Sequence, residues 1–125
     1  MNSKILIVED DASFGTMLQK WFERNNFSPV LCSEMQSAKE KMLKASFDLV
    51  LSDLRLPDGD GIILLNWMRE RHLDTPVIIM TSYGEISTAV SAIKLGASDF
   101  LEKPLNPSVL KEKIEAILRA PNPDE

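Results

Sequence analysis

Four separated places in this 125-residue chain hold the side chains that could do chemistry: the run Glu9-Asp10-Asp11, then Asp53, Thr81 and Lys103. Each lies just beyond a short apolar stretch. If the chain brings those stretches side by side, three or four carboxylates, one hydroxyl and one ammonium share a small volume. Two bare carboxylates about 4 Å apart repel by roughly 1–4 kcal/mol at effective dielectrics between water and a protein surface, so such a cluster needs a reason to exist. A hard divalent cation supplies one. Mg²⁺ prefers oxygen ligands, needs few protein carboxylates and keeps open positions for water and phosphate oxygens. Carboxylates, lysine and hydroxyl together suit phosphoryl transfer, where catalysis is mostly in-line positioning and neutralisation of charge on the equatorial oxygens. Asp53 is the candidate nucleophile, because an apolar strand before it would fix its backbone and aim it into the pocket from the middle of a sheet.

The elements that must position these groups follow from hydrophobic patterning. Lys4 to Val8 is too short for a buried helix and rich in β-branched residues, as a strand covered on both faces would be. Phe14, Leu18, Trp21 and Phe22 form the stripe of an amphipathic helix. A second strand is expected near Pro29 to Cys32. Ser33 with Gln36 fits a capping box, followed by a helical stripe of Met35, Ala38, Met42 and Ala45. Asp48 to Ser52 reads as a third strand. The turn-rich Pro57-Asp58-Gly59-Asp60-Gly61 separates it from a helix through Ile62 to about Arg71. Pro76 to Met80 is a fourth strand, followed by a helix with Ile86, Val90 and Ile93 inward that ends near Gly96. Ser98 to Leu101 is a fifth strand. Asn106 and Pro107 cap and start a last helix carrying Leu110, Ile114, Ile117 and Leu118. Five strands alternating with five helices imply a doubly wound parallel sheet, in which ligands sit beyond the carboxyl ends of the strands.

Composition excludes more than it selects. The 44% hydrophobic and 26% charged fractions are those of an ordinary globular domain. A net charge of -5 argues against a direct nucleic-acid grip. No long apolar run suggests a membrane span or signal peptide, and the one cysteine, Cys32, cannot form an intramolecular disulfide. Reducing cytoplasm is the expected location.

Together the segments Ile7-Val8-Glu9-Asp10-Asp11, Asp53-Leu54-Arg55-Leu56-Pro57-Asp58-Gly59, Met80-Thr81-Ser82-Tyr83 and Gly96 to Pro104 resemble the receiver domains of response regulators, over nearly the whole chain. The second and third segments are most similar to receivers of the nitrogen-regulatory, enhancer-binding activator class. The resemblance implies a flavodoxin-like (βα)5 fold with strand order 2-1-3-4-5, a receiver unit over residues 1–120, and a tail or linker start at 121–125. It implies a switch of a two-component system, in which a sensor histidine kinase phosphorylates Asp53 with Mg²⁺. Asp10, Asp53 and the backbone carbonyl of Arg55 would hold the metal, with Glu9 acting indirectly. Thr81 and Lys103 would contact the phosphoryl group. Phe100 would be the aromatic switch, without the hydroxyl of the tyrosine found in many relatives, and Lys103-Pro104 a cis peptide. Arg55 and Tyr83, two positions beyond the phosphoacceptor and the threonine, would set how fast water removes the phosphoryl group. The surface of the fourth helix, fifth strand and fifth helix would change on phosphorylation, for a second copy of the chain or a C-terminal effector, transcriptional in kind, to read.

Singly, each residue has a plainer reading. The first acids could start a helix, Asp53 could sit in a turn, Thr81 could cap a helix, Lys103 could be solvated and Phe100 plain core. Only their joint placement favours the site. His72 and Cys32 are assigned structural roles. Rival functions are a Mg²⁺-dependent aspartyl-phosphate phosphohydrolase, a flavin carrier and an interaction module that takes no phosphate. The phosphohydrolase would need its nucleophile after the first strand, and the first-loop acids would repel a flavin phosphate. A phosphoacceptor acting only on itself is the preferred reading over an enzyme.

Overall fold

A computed structural model describes residues 2–82 and 85–119. The short apolar runs become strands β1 (Lys4–Val8), β2 (Ser28–Cys32), β3 (Leu49–Asp53), β4 (Val77–Thr81) and β5 (Asp99–Glu102). All pair in parallel, in the order β2-β1-β3-β4-β5. A helix follows each strand: α1 (Ala12–Arg24), α2 (Met35–Lys44), α3 (Gly61–Glu70), α4 (Ile86–Lys94) and α5 (Pro107–Arg119). This is the expected flavodoxin-like, doubly wound arrangement. Arg55–Leu56 and Gly59–Asp60 add a small antiparallel ladder around the Pro57-Asp58 turn.

Side chains alternate across the strands into two cores. Leu6 and Val8 of β1 join Val50, Leu64, Leu65, Met68 and Ile79 on one side of the sheet. Ile5 and Ile7 join Leu18, Phe22, Leu51, Ile78, Met80 and Ile114 on the other. Burial on both faces explains why β1, β3 and β4 read as unbroken apolar runs, and each such side chain contributes about 1.5–3 kcal/mol on leaving water. Pro29 is tolerated in β2 because β2 is an edge strand.

Several helix ends match expectation. Asn106 accepts from the Ser108 N–H at 2.9 Å at the start of α5, and Gly96 follows α4 with φ of 111°. His72 follows α3 in the left-handed region with φ of 59°.

Three expectations are corrected. The Ser33–Gln36 capping box does not form: α2 starts at Met35 with Glu34 at its cap and no side-chain bond from it. Asp58, from the turn beyond β3, supplies the cap, its Oδ1 accepting from the Met35 N–H at 2.7 Å and Oδ2 from the Gln36 N–H at 2.9 Å. Desolvation works against the Asp58 charge, but these backbone bonds outweigh it and hold the carboxyl below its ordinary value. In α4, Val90 and Ile93 face outward, 43% and 38% exposed, while Ala89 and Ala92 are buried. Small residues line the face against the sheet, so the helix lies close and its larger aliphatics turn to solvent. The Ile86 side chain and the tail from Ala120 lie outside the described residues. Finally, β3 and β4 each end one residue later than expected, taking Asp53 and Thr81 into the sheet itself.

The start of α3 is pressed against the end of β3. The Gly61 N–H donates to the Leu54 carbonyl at 3.0 Å, and a Cβ at Gly61 would lie 2.8 Å from the Asp53 carbonyl oxygen and 2.9 Å from Ile79 Cδ1. Backbone cannot move aside cheaply. Gly61→Ala is expected to lower stability by about 1–3 kcal/mol, measured as a lower urea midpoint at unchanged slope; wild-type stability would contradict the close packing.

Candidate functional site

Sheet register gathers the chemistry-bearing residues. Val8 pairs with Cys32 on one side and Ser52 on the other, Asp53 pairs with Met80, and Thr81 pairs with Glu102. Glu9, Asp53, Thr81 and Lys103 therefore lie at the carboxyl ends of adjacent strands. Backbone bonds continue beyond the regular pairing, from the Glu9 N–H to Cys32 at 2.9 Å, from Leu54 to Met80 at 2.8 Å and from Lys103 to Thr81 at 2.8 Å. The side chains thus depart from anchored backbone.

Glu9, Asp10 and Asp53 each offer a carboxylate oxygen, all within 4.8 Å of one another. Asp10 is exposed, and the other two are buried. The Lys103 ammonium donates to Glu9 Oε2 at 3.0 Å and to Asp53 Oδ2 at 2.9 Å. Side-chain exposure is 24% for Lys103, 11% for Asp53 and 1% for Glu9, so of the bridged carboxylates only Asp53 keeps an opening to solvent.

Glu9 is more deeply engaged than the sequence suggested. Its Oε1 accepts from the Asp11 N–H at 3.1 Å while Oε2 holds Lys103. Burial, reinforced by the neighbouring Asp53 and opposed by Lys103, pushes its carboxyl up to about 7. Burial disfavours the Lys103 charge, yet the Asp53 and Glu9 carboxylates outweigh that and raise its pKa. One ammonium lies between two carboxylates, with a third nearby. An oxygen-rich cluster of this kind fits a hard divalent ion.

The first-loop acids divide their roles. Asp11 starts the helix, its Oδ1 accepting from the Phe14 N–H at 3.0 Å, whereas Glu9 and Asp10 join the cluster. Thr81 is fully buried, and its hydroxyl donates to the Ser82 carbonyl at 3.3 Å. The Lys103-Pro104 peptide is cis. Phe100 is half-buried on the core shared by α2, α3 and α4, with the Lys113 ammonium 6.0 Å from its ring. Arg55 is exposed and pairs with Glu85, the residue before α4, Nη2 lying 3.0 Å from Oε2. Tyr83 lies outside the described residues. Cys32 is buried, and burial pushes its thiol up to about 11, consistent with a structural role. The Glu85 partner of Arg55 left no signal in the sequence, since the two residues are 30 positions apart with no shared periodicity.

No helix among the described residues is long and apolar enough to cross a membrane. The sequence profile of the response regulator receiver domain matches residues 5–115. The response regulator protein PilR of Pseudomonas aeruginosa is 38% identical over 121 residues, covering 97% of this chain and 27% of its own length. The transcriptional regulatory protein ZraR of Escherichia coli K12 is 38% identical over 117 residues, covering 94% of this chain and 26% of its own. The chain therefore spans about a quarter of these two relatives. Among solved structures, the receiver domain of NtrX from Brucella abortus superimposes with a TM-score of 0.88 at 29% identity, covering 94% of this chain and 99% of that one.

The raised Glu9 pKa has a measurable effect on folding. In metal-free buffer the native state holds the Glu9 proton up to about pH 7, whereas the unfolded chain loses it near 4.5. Stability is expected to fall as pH rises through that window. Urea unfolding across the range measures the slope, and Glu9→Gln is expected to flatten it; an unchanged slope in the variant would refute the assignment.

Proposed function

The chain belongs to the response-regulator receiver family, and on that premise we propose that it is a phosphorylation-controlled switch whose acceptor is Asp53. The carrying observation is the Asp53 carboxylate, at the end of a central strand, 2.9 Å from an ammonium and inside a trio of acids close enough to share an ion. In this reading Asp10, Asp53 and the Arg55 carbonyl hold Mg²⁺, and Glu9, with both oxygens engaged, supports from behind. Bound Mg²⁺ neutralises charge on the phosphoryl oxygens.

The reaction begins with a phosphohistidine on a sensor kinase. An Asp53 carboxylate oxygen attacks phosphorus in line; the O–P bond forms as the P–N bond breaks, and the electron pair leaves with the imidazole. Lys103 keeps Glu9 and exchanges its Asp53 oxygen for a phosphoryl oxygen. Thr81 gives up the Ser82 carbonyl and turns its hydroxyl to the same group. The domain thus assists only its own phosphorylation and dephosphorylation. The rival phosphohydrolase reading needs a nucleophile just after β1, where Glu9 is 3% exposed and locked to Lys103.

The signal leaves by the α4–β5–α5 surface. Withdrawal of the Thr81 hydroxyl changes the packing beside Phe100, which has no hydroxyl of its own and reports by shape. Val90, Ile93 and Leu95 on and just after α4, with Val109 on α5, expose apolar area there, available to a second copy or to an effector C-terminal to this domain. The effector is transcriptional in this reading, of the enhancer-binding activator kind, and the protein is cytoplasmic. Moving such a switch from 1:99 to 99:1 requires about 5.5 kcal/mol of differential stabilisation. One charge-assisted hydrogen bond, worth about 1.5–3 kcal/mol, falls short, so Thr81, Lys103 and the partner surface must act together.

Incubation with acetyl phosphate and Mg²⁺ is expected to add one phosphoryl group to the intact mass, and Asp53→Asn to abolish the addition. Full phosphorylation of the variant would overturn the acceptor assignment. Trimming both Arg55 and Tyr83 to small polar residues is expected to shorten the phosphoryl lifetime, followed as loss of that mass after the donor is removed. An unchanged lifetime would remove both residues from control of hydrolysis.

A further inference from the structure

We infer that Phe14 is a positioning residue for Lys103, holding the ammonium over its ring so that it stays between Glu9 and Asp53; the functional consequence rests on Asp53 being the phosphoacceptor. A lysine ammonium has three N–H donors and no acceptor. Two reach Glu9 and Asp53, at 3.0 and 2.9 Å. The Phe14 ring takes another side, its centroid 4.7 Å from Nζ. That is within the range of a cation–π attraction, which strengthens as water is excluded. It is the shortest cation–ring contact among the described residues, and the only one whose cation also touches Asp53.

The ring is held firmly enough to do this. Phe14 lies in the first turn of α1, where its own N–H is bound by Asp11. Its half-buried side chain packs against the core shared by α1 and α5. At the next residue, Gly15, a Cβ would come 3.0 Å from the Leu31 side chain and 3.7 Å from Glu9 Cγ, so the absence of a side chain lets α1 approach the site. The attraction of a π face depends little on which N–H points at it. It can therefore persist while the ammonium exchanges an Asp53 oxygen for a phosphoryl oxygen, and it offers no competing anion.

The test compares Phe14→Leu, which keeps apolar bulk without the ring, with Phe14→Tyr, which restores a π face. In Phe14→Leu, acylation of Lys103 by an amine-directed reagent, quantified by peptide mass spectrometry, is expected to accelerate about three- to tenfold, the size of a cation–π contact. Phosphorylation by acetyl phosphate at saturating Mg²⁺ is expected to slow by a similar factor, with Mg²⁺ affinity from calorimetry unchanged. Phe14→Tyr is expected to return both rates towards wild type. Wild-type labelling in Phe14→Leu, or failure of Phe14→Tyr to rescue, overturns the inference. If Phe14→Leu folds poorly by urea unfolding, Phe14→Met carries the same expectations and the same refutation. Should wild type itself take no phosphoryl group on Asp53, the function proposed above fails, while Lys103 labelling still decides whether the ring positions the ammonium.

Discussion

The site is organised by a shortage of positive charge. Three carboxylate groups lie close together at the carboxyl edge of the sheet, and among the described residues the one cation bonded to them is Lys103, which touches two. Parallel register and the continuing hydrogen bonds bring the strand ends together whatever charge they bear, and the Asp11 N–H on Glu9 offsets only part of the imbalance. Relief comes from proton uptake by Glu9 or from a bound cation. The same crowding costs the resting domain stability.

Burial sets the three carboxylates apart. Glu9 is enclosed, with one oxygen on backbone and the other on Lys103, so its position is fixed. Asp10 is exposed and free to reach towards solvent. Asp53 lies between these extremes, tied to Lys103 yet still open at the mouth of the sheet. Three acids of similar intrinsic strength thus differ in exposure and in partners.

The strand order and the gathering of acids at the strand ends were legible in the chain itself, for identifiable reasons. Strands buried on both faces write unbroken apolar runs, so the core strands and the acids beyond them could be found from patterning. Gly96 and Asn106 mark helix ends by local chemistry, which sequence displays directly. The failures involve partners far apart in the chain. Ser33 and Gln36 have the right spacing for a cap, but Asp58, more than twenty residues away, takes the place. In α4, periodicity shows a stripe without showing which side faces the sheet, and the alanines rather than Val90 and Ile93 lie inward. Phe14 belonged visibly to a core stripe, but its second contact, with Lys103, depends on how α1 meets the loop before α5.

The Asp58 cap has a mechanical consequence. The turn that follows Asp53 is fastened at one point to the start of α2, through Asp58, and at another to the approach to α4, through Arg55 and Glu85. Both fastenings are exposed at the rim, and the second is an ion pair that salt weakens. A shift of that turn therefore pulls on two separate helices at once, like a yoke with two traces. Ionic strength then sets how stiffly the turn is harnessed to the approach to α4, while the Asp58 trace holds.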